Sequence, residues 1–117
     1  MKDYNLIAEK SKKLALRIIK LYKYLSSEQK EYVLSRQVLR SGTSIGANVR
    51  EGLRGQSTAD FYAKMNIALK EAEETLYWLE LLHESDYIET VHFNSIYEDC
   101  KHVTKILMSI TKAQKQE

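Results

Sequence analysis

At 117 residues the chain is long enough to bury one core without staples, and its single cysteine, Cys100, can form no internal disulfide. Hydrophobic content of 44%, charged content of 29% and no proline point to one all-helical domain over residues 1–117. The net charge of +2 hides an uneven spread, with 12 Lys and Arg against 5 Asp and Glu in residues 1–58 and 6 against 11 in residues 59–117. The start, Met1-Lys2-Asp3-Tyr4, shows no signal-peptide core, and no apolar run reaches bilayer length, so a soluble cytoplasmic protein with no membrane association is expected.

The first helix is expected from Asp3 to Leu25. Ile7, Ser11, Leu14, Ile18, Leu21 and Leu25 recur at steps of three and four, the stripe of a bundle helix. Lys10, Lys13, Arg17 and Lys20 line the far face; a solvated surface is the ordinary explanation, and a phosphate-binding ridge is the functional one. Ser26 and Gln29 have capping-box spacing, which predicts a second helix from Glu28 to Leu53.

That helix would run through Arg40-Ser41-Gly42-Thr43-Ser44-Ile45-Gly46-Ala47-Asn48-Val49-Arg50-Glu51-Gly52, which holds three of the four glycines. Val38, Ile45 and Val49 mark an apolar stripe, and Gln37, Arg40, Ser44, Asn48 and Glu51 a polar one. A mid-helix glycine costs about 1 kcal/mol relative to alanine, so Gly42 and Gly46 call for a close neighbour. Gly52 and Gly55 suggest a left-handed helix end.

Ser57-Thr58-Ala59-Asp60 gives another capping box, opening a third helix from Thr58 to His83 with Phe61, Met65, Ala68, Ala72, Leu76 and Leu79 inward. The fourth is expected from Val91 to Lys112, where Phe93, Ile96, Cys100, Val103, Leu107 and Ile110 form a heptad seam; the tail to Glu117 is polar and expected to fray. Short connections make sequential helices antiparallel neighbours, so the fold class is an all-α, up-down-up-down four-helix bundle.

Bundles can hold metals on carboxylate and Glu-x-x-His motifs, so Glu71, Glu74, Asp99 and His102 define an alternative function as a bundle enzyme or metal-binding protein. Only one carboxylate-His pair exists, and chance surface spacing accounts for it better. Cys100 on an apolar seam is ordinarily a small buried hydrophobe, and Ser44 has no histidine in its stripe to act as base. No catalytic residue, metal site or cofactor is therefore assigned. The favoured reading of Arg40, Ser44, Asn48 and Glu51 with Glu71 and Glu74 is a structural polar cluster between the second and third helices.

The stretch from Arg40 to Gly52, followed by Phe61 and by Ile67-Ala68-Leu69-Lys70-Glu71-Ala72-Glu73-Glu74, resembles a family of four-helix-bundle proteins. Some members are encoded in intervening sequences of bacterial 23S ribosomal RNA genes, and the family is also called S23-like. Arg40, Ser44, Ile45, Asn48, Glu51, Gly52, Phe61, Ile67, Ala68 and Glu74 fit its pattern, whereas Gly46 stands where many members have proline. The resemblance implies a ring-like homopentamer with no established enzymatic activity, a non-enzymatic scaffold or interaction protein. Related bundles accompany diversity-generating retroelements, which suggests RNA or DNA and a protein as partners. Lys10, Lys13, Arg17 and Lys20 are the candidate nucleic-acid face.

Overall fold

The computed structural model describes residues 2–114. It contains helices α1 (Lys2–Ser27), α2 (Leu34–Leu53), α3 (Thr58–Glu84) and α4 (Thr90–Gln114), with no strand among the described residues. Each helix packs on its sequence neighbours, and α4 closes the ring of four against α1. Gly42 and Gly46 of α2 approach Ile18 and Ser11 of α1, and Arg40 and Glu51 of α2 meet Glu74 and Lys64 of α3. Tyr97 and Cys100 of α4 likewise meet Glu80 and Ala72 of α3. Rising numbers on one helix thus meet falling numbers on the next, which is the antiparallel order expected from short connections.

The apolar stripes converge on one core. Ile7, Leu14, Ile18 and Leu25 of α1, Val38, Ile45 and Val49 of α2, and Cys100 and Leu107 of α4 are at most 1% exposed. On α3 the stripe differs from the expected one: Tyr62 and Thr75 are buried, while Phe61 and Leu76 are only partly covered. Thr75 is tolerated inside because its hydroxyl donates to the Glu71 carbonyl at 2.7 Å and lies 2.9 Å from Ser41 Oγ, so this buried oxygen is not left without a partner.

Two expected helix ends are corrected. Ser26 does not cap a second helix; it lies in the last turn of α1 and donates to the Tyr22 carbonyl at 2.8 Å. The chain turns at Lys30, whose φ of 55° is left-handed, and α2 starts only at Leu34. The cap there is the carboxylate of Glu31, which accepts from the backbone N–H groups of Val33 (3.2 Å), Leu34 (2.9 Å) and Ser35 (2.7 Å). One anion thereby satisfies three of the donors that a helix start leaves open. Burial raises the pKa of this carboxyl, but the three N–H bonds together outweigh it and hold the group below its usual 4.5.

At the other end of α2, no glycine among the described residues has a positive φ. The helix closes through tight turns instead, with Arg54 N–H donating to the Glu51 carbonyl and Gly55 N–H to the Gly52 carbonyl. Ser57 then caps α3 as its spacing predicts, accepting from Asp60 N–H at 3.0 Å. The Asp60 carboxylate reaches Gln56 N–H, at 3.4 Å, rather than closing a reciprocal box. The fourth helix extends to Gln114, and the rest of the polar tail lies outside the described residues.

Candidate functional site

The stretch from Arg40 to Gly52 is one helix with separate tasks on its flanks. Toward α3, the Arg40 guanidinium donates to Glu71 Oε2 at 3.2 Å and to Glu74, which also accepts from Trp78 Nε1 at 2.8 Å. Half of the Arg40 side chain remains exposed, so the attraction is screened and the pairs contribute about 0–1 kcal/mol. The other polar residues do not join them. Ser44 Oγ donates to the Arg40 carbonyl at 2.7 Å, Asn48 Nδ2 donates to the Ser44 carbonyl at 2.9 Å, and Glu51 pairs with Lys64 at 3.1 Å. The six residues therefore form an Arg40–Glu71–Glu74 group, a Glu51–Lys64 pair, and two side chains bonded back to their own helix.

Toward α1, the two glycines differ. A Cβ on Gly42 would stand 2.8 Å from both Ile18 Cγ1 and Cγ2, whereas one on Gly46 would meet Ser11 Oγ at an ordinary 3.4 Å. Of these two, only Gly42 is required by the packing of α2 on α1. Gly46 instead joins Ala8, Ala15 and Ala47 on the floor of an open groove of about 1030 Å³ between α1 and α2, with Lys12, Arg50 and Arg54 at its edges. Nothing in the sequence periodicity brings those three cations to one groove, because they come from α1, α2 and the turn after α2.

The α1 basic line is partly neutralised. Lys13 pairs with Glu9 at 3.2 Å, both ends being well exposed. Arg17 crosses to α4, donating to Asp99 Oδ2 at 2.6 Å and Ser95 Oγ at 3.0 Å. Lys20 is exposed and Lys10 half-buried, and neither has an ion pair among the described residues. Arg17 and Lys20 also line a second cavity, of about 490 Å³, between α1 and the start of α4. That cavity was not legible in the sequence, since it exists only where the bundle closes.

The groups of the alternative function are dispersed. Glu71 and Glu74 face Arg40, Asp99 faces Arg17, and His102 is exposed. No group of three or more His, Cys, Asp or Glu is gathered to hold a metal among the described residues. Cys100 is fully buried with Sγ 3.6 Å from the Ala72 carbonyl, and burial pushes its thiol up to about 12. Tyr97 is likewise pushed up to about 12, first by its 2.6 Å hydrogen bond to Glu80 and then by burial. Neither group is poised to ionise near neutral pH. His83 stacks on Phe93 with ring centroids 4.1 Å apart, and its ring lies 3.1 Å from Thr90 Oγ1, closing the α3–α4 turn. No helix of the described residues is long and apolar enough to cross a membrane.

The profile of the family described as 23S rRNA-intervening sequence protein matches residues 4–109. A crystal structure of a protein with unknown function, from the S23 ribosomal protein family of Bacteroides thetaiotaomicron VPI-5482, is 56% identical. The similarity covers 96% of this chain and 99% of that one, with a TM-score of 0.92. Comparison with curated proteins gave no match.

Proposed function

Because the chain belongs to the 23S rRNA-intervening sequence protein family, whose fold by itself assigns no reaction, we propose that it is a non-enzymatic scaffold that self-associates and presents a basic surface to RNA or DNA. The observation that carries this reading is how the reactive side chains are used. Glu71, Glu74 and Asp99 are engaged by arginines and Cys100 is buried, so the side chains of the alternative function are held in separate contacts, while the α1 cations stand at the surface. Leu16, Val33, Tyr77, Val91 and Met108 are each more than half exposed or close to it, at 55%, 70%, 53%, 75% and 53%. These exposed apolar groups, on α1, α3, α4 and the α1–α2 connection, are surface that further copies can cover, and a closed ring of five is the assembly proposed from the family resemblance.

The nucleic-acid surface in this reading is the α1 line of Lys10, Lys13, Arg17 and Lys20. Its ion pairs to Glu9 and Asp99 lie at the surface, where such pairs contribute little and can be exchanged for phosphate. A protein partner is a further part of the proposal, as is a cytoplasmic setting. Sedimentation equilibrium combined with RNA and DNA titrations at two salt concentrations tests it. The expected result is a pentamer mass and an affinity that falls steeply with salt. A monomer with no salt-sensitive binding overturns the proposal.

A further inference from the structure

We propose that the cavity between α1 and α4 receives an unstacked nucleobase, so that the nucleic-acid partner is single-stranded. This rests on the reading of the α1 line as a phosphate-contacting surface. Lys13, Arg17 and Lys20 follow each other at steps of four and three and so share one helix face. Arg17 and Lys20, the last of that series, also line the cavity, so the cationic track leads into it. At about 490 Å³ the cavity has the size of a small-ligand site.

Its lining suits a base better than a phosphate. Ile88 and Ile96 supply apolar surface, and each is nearly buried, at 6% and 5% exposed. Tyr24, 40% exposed, and the exposed His92 contribute flat rings, the groups on which splayed bases stack. The Tyr24 hydroxyl accepts from Gln29 Nε2 at 2.6 Å, which restrains that ring. Arg17 lies along the wall, where it donates to Asp99 and Ser95. Glu89, the one acid in the lining, repels a phosphate but can accept from an exocyclic amino group. The charges are therefore arranged with phosphates along Lys13 and Lys20 and a base inside. A duplex keeps its bases stacked and can offer only its backbone to the line, whereas a single strand satisfies both parts.

The test is a titration of the full-length protein with a short single-stranded RNA and with the duplex of the same sequence, each at two salt concentrations. Tyr24→Ala is expected to weaken strand binding about tenfold with no change in salt dependence, and to leave duplex binding as it was. Tyr24→Phe, which keeps the ring, should retain binding, and His92→Ala should weaken it as Tyr24→Ala does. Lys13→Ala with Lys20→Ala should weaken both ligands and flatten the salt dependence. Both rings are solvent-exposed, so these variants are expected to fold, and circular dichroism checks that. Duplex binding as tight as strand binding, or no effect of Tyr24→Ala and His92→Ala, overturns the cavity proposal and leaves the basic line standing. Absence of binding to either ligand overturns both.

Discussion

Replacing Gly42 with alanine isolates the closest approach between α1 and α2. The added methyl would lie 2.8 Å from two carbons of Ile18 and 3.2 Å from its Cβ, well inside van der Waals contact. Ile18 is fully buried and β-branched, with one favoured rotamer in a helix, so it has little freedom to retreat. Overpacking of this kind costs about 2–3 kcal/mol, and the gain in helix propensity returns about 1 kcal/mol. The net loss is then about 1–2 kcal/mol, or a fall in Tm of roughly 4–8 °C for a domain of this size. Gly46→Ala is the matched control: its methyl meets only ordinary contacts, so the propensity gain should survive as a stabilisation of about 0.5–1 kcal/mol. Urea denaturation at one protomer concentration measures both changes, since association would otherwise shift the midpoints. Repeating Gly42→Ala in an Ile18→Ala background removes both clashing carbons and should reverse its sign. If Gly42→Ala is equally harmful with and without Ile18, the steric account is wrong.

Three further outcomes are expected. Glu31→Gln should cost about 1 kcal/mol at neutral pH by weakening the charged cap of α2. The native pKa of Glu31 lies below its unfolded value, so its contribution is complete above 4.5 and disappears as pH falls through the native value. Acid titrations of stability should therefore show a smaller loss in the variant, and identical acid limbs would refute this role. A double-mutant cycle on Arg40 and Glu74 should give a coupling of about 0.5–1 kcal/mol, in keeping with a half-exposed pair; additivity would show that the contact contributes nothing. Cys100 should resist a thiol reagent at neutral pH until denaturant opens the core, because burial holds its thiol up to about 12; fast labelling of the native protein would contradict that.

Helix number and most of the core were readable because apolar residues at steps of three and four report directly on a buried face. Ile7, Leu14, Ile18 and Leu25 illustrate this, as do Cys100 and Leu107. Helix ends were less readable. Ser26 and Gln29 have the right spacing for a cap, but spacing alone does not reveal that α1 continues through Ser26 or that Glu31 bonds the next helix. Thr75 was missed because its burial depends on Ser41 across the interface, a partner 34 residues away. Arg40 opposite Glu71 and Glu74 could be anticipated by counting back from the α2–α3 turn. By contrast, Arg17 with Asp99 spans 82 residues and depends on closure of the bundle, which local spacing does not encode.

That closure also bears on the order in which the fold is assembled. The α1–α2, α2–α3 and α3–α4 contacts each join helices adjacent in sequence, so each can form by closing one short loop. The α1–α4 contact joins the most distant helices and is the least extensive of the four. It is therefore expected to form last and open first. In hydrogen exchange, the amides around Arg17 and Asp99 should lose protection before those around Ser41 and Thr75.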